Sequence, residues 1–188
     1  MSPTTNLPAV PEGYATVNPF IIADDANVLI EFVKRVFGAS ERPEARTTDV
    51  DGLLLHAELA IGGTTIMFAD RKPEWPFTPS LLQVYVDDLD TTLSTARQLN
   101  ATVVTEPTEF YGDLFSRIRD PWNNLWWVYH HQARAEKGGD DGTDWSAGAN
   151  EADGDAWDEA SPGLKYIHDT LLTALPSIRD PRLAGSRR

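Results

Sequence analysis

One pattern occurs twice in this chain. PFIIADDANVLIEFVKRVFGA (residues 19–39) and LLQVYVDDLDTTLSTARQLNA (residues 81–101) each read as an apolar strand, a pair of aspartates and an amphipathic helix, offset by about sixty residues. In the first helix Val28, Phe32 and Val36 recur at helical spacing and Gly38 ends the run; in the second Leu93 and Ala96 face inward and the end falls near Asn100. The pairs Asp24–Asp25 and Asp87–Asp88 stand where a side-chain oxygen can accept from orphan helical N–H groups, so capping is the expected role. Three strands follow each helix. In the first half these are RTTDVDG, LLLHAELAI and, after Gly62–Gly63 as a hairpin turn, TTIMFAD. In the second half they are TVVTEPTEF, LFSRIRD and NLWWVYHH, the last entered from the turn at Asp120–Asn124. Two βαβββ units in tandem make an α+β domain by internal duplication.

The rest of the 188 residues divides around that domain: an arm over 1–13, the domain over 14–132, an acidic linker over 133–160 and a helix with a loose tail over 161–188. The net charge of −13 sits largely in the linker, where nine acids between Glu136 and Glu159 face Lys137 alone. Such Gly-, Asp- and Ala-rich sequence has too little apolar content to offset the entropy of ordering it. It lacks the set Gly and terminal Glu of a calcium loop; Trp145 and Trp157 are the residues in it suited to docking on the domain. Beyond it, Ser161 and Pro162 open a helix with Leu164, Ile167, Leu171 and Leu175 on one face. That helix is expected to pack on its own domain or on a second copy, with His168 at the surface.

Composition prunes the chemistry. With no cysteine, disulfides, thiolate nucleophiles and thiolate zinc sites are all excluded. The acidic balance argues against nucleic acid, and no run of eighteen apolar residues or basic-then-apolar leader points to a membrane or to export, so a cytoplasmic protein is expected. No G-x-S-x-G, phosphate-loop or dinucleotide glycine pattern is present.

NPFIIADDANVLIEFVKRVFGA, DGLLLHAELAIGG with IMFAD, YVDDLD and FYGDLFSRIRDPWNNLWW together resemble the vicinal oxygen chelate superfamily, the glyoxalase, bleomycin-resistance and dioxygenase group, and within it the PhnB-like proteins. The resemblance covers about residues 14–131 and implies that each unit curls into a half-barrel, the pair enclosing a cavity. Metal enzymes of that group place His, Gln or Glu on the first and last strand of each unit. Here those positions fall on Val17, Met67, Leu81 and Trp127, none of which suits a hard or borderline divalent ion, so neither metal nor cofactor is expected. A strand slip of one residue would instead offer His56, Glu58 and Gln83.

The expected site is therefore a pocket lined for ligand binding by Gln83, Tyr85, Phe110, Tyr111, Arg117, Trp127 and Tyr129, suited to an aromatic or cationic small molecule, with His56 and Glu58 as further polar groups of the same cavity. Trp126 alternates to the helix-packed face and Trp127 to the pocket. His56 and Glu58 share a strand face, either as a polar pair or as the acid and base of a lyase or isomerase. His130 and His131 alternate to opposite faces and do not chelate together. A homodimer is expected, with no nucleic-acid or membrane partner.

Overall fold

A computed structural model of the chain describes residues 8–132 and 160–184. The acidic segment, including Trp145 and Trp157, lies outside the described residues. The first half runs β1 (Phe20–Ala23), α1 (Ala26–Phe37), the short β2 (Ser40–Glu41) and β3 (Thr47–Thr48), β4 (Leu54–Ile61) and β5 (Thr64–Asp70). The second runs β6 (Leu81–Tyr85), α2 (Leu89–Gln98), β7 (Thr102–Phe110), β8 (Asp113–Arg119) and β9 (Leu125–His130); after the linker come α3 (Pro162–Ala174) and the four-residue α4 (Pro181–Ala184). The strand orders β1-β5-β4-β2, with β3 also on β4, and β6-β9-β8-β7 are the same plan twice. In each half the first and last strands pair parallel and the others antiparallel. The duplicated βαβββ domain is thus observed.

Local departures have local causes. Of RTTDVDG only Thr47–Thr48 pairs with β4; Gly52 has φ 84° and turns the chain back, while Lys72 clamps that turn through Asp49 at 2.8 Å and Asp51 at 2.5 Å. Pro107 lies in β7, the edge strand, between Thr105 and Thr108 where the ladder shifts register, a place that tolerates a missing N–H. In α1 the buried face is Ala26, Leu29, Ile30, Phe32, Val33 and Val36. Val28, expected there, is 51% exposed because it lies about 120° from that face's centre at 100° per residue.

The two helices are capped differently. Asp88 accepts from Thr91 N at 2.9 Å, as expected. Asp25 makes no such bond and sits at φ 52°, and Asp24 turns to Arg71 and Arg182. The cap of α1 comes from 44 residues away: buried Asp70, at the end of β5, accepts from Ala26 N at 2.7 Å and from Leu54 N at 2.6 Å.

The helices pack on each other, and the helix-facing sides of both sheets merge into one core that includes Ile21, Leu59, Phe68, Leu93, Ile118 and Trp126. The Trp126 ring lies 4.7 Å from Phe37 of α1, and Trp122 Nε1 donates to Asp24 O at 2.6 Å, so the second half grips the first through these tryptophans. The C-terminal segment packs on its own domain. Helix α3 lies along β7, with Tyr166 Oη accepting from Glu106 N at 3.0 Å and Thr170 Oγ1 at 2.7 Å from Thr105 Oγ1. Beyond it, Asp180 pairs with buried Arg71 at 2.8 Å. Among the described residues no helix is long and apolar enough to cross a membrane.

Candidate functional site

The alternation of β9 buries Trp126 and Val128 in the core and turns Trp127 and Tyr129 to the other face of the sheet. Register then sets their neighbours. Gln83 of β6 and Arg117 of β8 flank Trp127, and Tyr85 and Phe115 flank Tyr129. The aromatic rings form a continuous wall: Tyr85 to Tyr129 at 5.3 Å, Tyr129 to Phe115 at 5.0 Å and Phe115 to Phe110 at 5.8 Å. Gln83 Nε2 donates to Tyr85 Oη at 3.2 Å at the exposed rim. Six of the seven side chains singled out for ligand binding therefore share this face. The seventh, Tyr111, is at the β7–β8 hairpin tip with φ 50°, is 82% exposed and stacks edge-on to Phe110.

Arg117 is the unusual member. It is 1% exposed, its guanidinium lies 4.8 Å over Trp127 and 5.1 Å over Phe115, and α3 covers it. Nη1 donates to Thr105 Oγ1 at 2.9 Å, Ile167 O at 3.3 Å and Thr170 Oγ1 at 3.4 Å; Nε has no partner. No carboxylate among the described residues pairs with it. Burial pushes it down to about 10, opposed only by Tyr129.

The face of the first sheet is built around Glu58. The residue is 6% exposed, and its carboxylate accepts from Tyr14 Oη at 2.9 and 2.7 Å, meets His56 Nε2 at 3.1 Å and lies 3.7 Å from Arg42 Nη1. Burial alone would raise its pKa; the bonds from His56 and Tyr14, with the charges of His56 and Arg42, outweigh that and hold it below the usual range. Phe20 stacks 6.2 Å from His56, and Met67 stands between Phe20 and Glu58. Tyr14 and Arg42 were not singled out from the sequence, and no local signal ties Tyr14 to a partner 44 positions away. His56 and Glu58 do not join the aromatic wall. Among the described residues no hydrogen bond, ion pair or ring contact links the two groups, since the helix-facing sides of both sheets share one core and these faces are their opposite sides. His130 Nδ1 contacts Val86 O and His131 Nδ1 contacts Asp113, so the tandem histidines do diverge.

The family profile of the Glyoxalase/Bleomycin resistance protein/Dioxygenase superfamily matches residues 14–128. The chain belongs to this superfamily. Uncharacterised proteins of Mycobacterium bovis and Mycobacterium tuberculosis are 31% identical over 122 residues, 58% of this chain and 79% and 71% of theirs. Among solved structures it is similar to protein PA1353 from Pseudomonas aeruginosa, with TM-score 0.52, 17% identity and coverage of 63% of this chain and 99% of that one. A glyoxalase/bleomycin resistance protein/dioxygenase family enzyme from Burkholderia phytofirmans gives TM-score 0.51, 21% identity and coverage of 60% and 95%. These likenesses support the fold alone.

A superfamily metal would need donor side chains on the first and last strand of each unit. Val17 lies ahead of β1 and is 80% exposed; the β1 residue beside Met67 is Phe20. Likewise the β6 residue beside Trp127 is Gln83, with Leu81 two positions earlier against Leu125. Register thus corrects the first-strand positions to Phe20 and Gln83, and the set Phe20, Met67, Gln83 and Trp127 offers one amide oxygen and a thioether. Among the described residues no three His, Asp or Glu side chains group to hold an ion. The donor set does not fit a superfamily metal. Within the RDPWNNLWW stretch that carries the family likeness, Asp120, Trp122, Asn124 and Trp126 hold the turn and the core together, while Trp127 turns to the aromatic face. Asp120 is 2% exposed and accepts from Trp122 N, Asn124 N, Asn124 Nδ2 and Trp126 Nε1 at 2.9–3.0 Å, while Asn124 Oδ1 accepts from Ser80 N. Burial pushes the Asp120 carboxyl up against these four donors.

Proposed function

We propose that this protein is a metal-free small-molecule-binding member of the superfamily, its ligand held against the aromatic face of β6, β8 and β9. The observation that carries this reading is Trp127: an indole stands beside Gln83 and Arg117 where the superfamily's metal enzymes place a carboxylate. Rings of Tyr85, Tyr129 and Phe115 extend the wall and suit a planar ligand. A cationic ligand has less support, because buried Arg117 already places a positive charge there. We further propose a homodimer in which one copy's first-sheet face closes over the partner's aromatic face. Phe20, Leu81 and Tyr85 are 47%, 54% and 57% exposed in a single chain, and association would cover them. Acid/base catalysis through His56 and Glu58 has weaker support, since Tyr14, His56 and Arg42 already occupy the buried carboxylate.

The test is elemental analysis after incubation with nickel, zinc, manganese and iron(II) and desalting, alongside sedimentation of the full 20.8 kDa chain. No retained metal and a mass of two chains are expected. One metal retained per chain would sink the metal-free reading.

A further inference from the structure

Arg117 is a cation removed from water, with no anion among the described residues to meet it. All three of its hydrogen bonds leave from one nitrogen, Nη1, and all go to neutral acceptors, two hydroxyls and the Ile167 carbonyl. Nε is buried and unpartnered, and Nη2 donates to no acceptor among the described residues. These two nitrogens form one edge of the guanidinium, the edge whose parallel N–H bonds match the two oxygens of a carboxylate or of a phosphonate. The plane of the group is already fixed. Trp127 and Phe115 lie within 4.8 and 5.1 Å of it, and the bonds at Nη1 prevent its rotation. A side chain needed only for packing has no reason to carry this charge, because an unpaired buried cation costs more than neutral hydrogen bonds return.

We infer that Arg117 is an anion-recognition element, taking a ligand that carries a carboxylate or phosphonate group through its Nε–Nη2 edge while the rest of the ligand lies along the Trp127–Tyr129 wall. This rests on the small-molecule-binding reading above and narrows it to planar acids. The chemistry requires an oxyanion with two acceptors in one plane. An amide of the same shape offers one acceptor and turns an N–H toward the other donor. An ammonium meets a like charge. The Ile167 carbonyl and the Thr170 hydroxyl of α3 accept from Nη1 and not from Nε. With Arg117 only 1% exposed, α3 must give way as the ligand enters.

Calorimetric titration of the full chain with 2-naphthoate, 2-naphthamide and 2-naphthylmethylammonium separates the two levels of the argument. The carboxylate is expected to bind at least about tenfold more tightly than the amide, and the ammonium most weakly. Arg117→Lys keeps the charge and loses the fork, so the preference for the acid should shrink by about tenfold. Arg117→Gln should remove that preference. Trp127→Leu should weaken all three compounds together. If acid, amide and ammonium bind alike, and Arg117→Lys changes nothing, the anion inference is overturned and the aromatic pocket stands. If none of the three binds the native chain, the pocket reading fails and takes the inference with it. Should Arg117→Gln not fold, the lysine variant decides alone.

Discussion

In the first half of the duplicated domain Phe20, Met67 and Glu58 stand side by side across β1, β5 and β4; in the second, Gln83, Trp127 and Arg117 stand side by side across β6, β9 and β8. The two triplets occupy corresponding places in one strand order, so the fold puts a buried acid in one half where it puts a buried base in the other. Their surroundings differ in kind. Glu58 is met by Tyr14 from the stretch ahead of β1, by His56 and by Arg42, and every neighbour stabilises the anion. Arg117 is met by α3 from the C-terminal segment, which brings a carbonyl and a hydroxyl but no negative charge. Duplication thus supplies the scaffold, and the segments that flank it decide which half is a finished structural knot and which keeps an unanswered charge.

The largest expected effects test that asymmetry by sign. Glu58→Leu leaves a phenol, an imidazole and a guanidinium facing an apolar group and should cost about 3 kcal/mol of unfolding free energy in urea. Arg117→Met removes an unpaired buried cation and should be neutral or stabilising by about 1 kcal/mol. Equal losses in both variants would mean that Arg117 is as well satisfied as Glu58, and the contrast would collapse. Titration with acid sharpens the same comparison. Because the Glu58 pKa is lower folded than its unfolded value of 4.5, its contribution is complete above that pH and is lost as pH falls through the folded value. The gap between the native chain and Glu58→Leu should therefore be constant at neutral pH and narrow only below about pH 4.5.

How much of this was legible in the sequence follows from the range of each interaction. The duplicated plan, the strand-helix order and the opposite facing of Trp126 and Trp127 rest on periodicity and on turn residues within a few positions, and they are observed. The Val28 expectation failed because a spacing of four drifts from the helical repeat, and only packing fixes where the stripe is centred. What joins residues far apart left no trace in any window: Tyr14 to Glu58 over 44 positions, Arg117 to Ile167 over 50, and Arg71 to Asp180 over 109. The aromatic wall could be anticipated as a set of side chains. The separation of His56 and Glu58 from it could not, since it depends on which sides of the sheets share a core.

The caps provide the next comparison. Asp70 is buried and serves two backbone N–H groups, at Ala26 and Leu54, neither of which water reaches readily once the carboxylate is gone. Asp70→Ala should cost about 2 kcal/mol in thermal or urea unfolding. Asp88 caps α2 at an exposed end where water replaces it, so Asp88→Ala should lose less than half as much. Similar losses in the two variants would show that Asp70 is an ordinary cap.

The smallest effect concerns the Asp pairs, identical as dipeptides and different in use. In Asp87–Asp88 the second residue is extended at φ −139° and its side chain caps; in Asp24–Asp25 the second is left-handed at φ 52° and ψ 56° and caps nothing. A left-handed residue carries a steric cost that glycine lacks, although glycine also widens the unfolded ensemble. With no side-chain bond to lose at exposed Asp25, the local strain should prevail, and Asp25→Gly should stabilise the protein by about 0.5 kcal/mol. Asp25→Ala keeps the strain without aspartate's tolerance of the left-handed region and should destabilise by a similar amount. Paired urea titrations of the two variants measure this. A loss in both would mean that the Asp25 carboxylate contributes through the field at the start of α1 despite making no bond, and that the two halves cap their helices more alike than the geometry indicates.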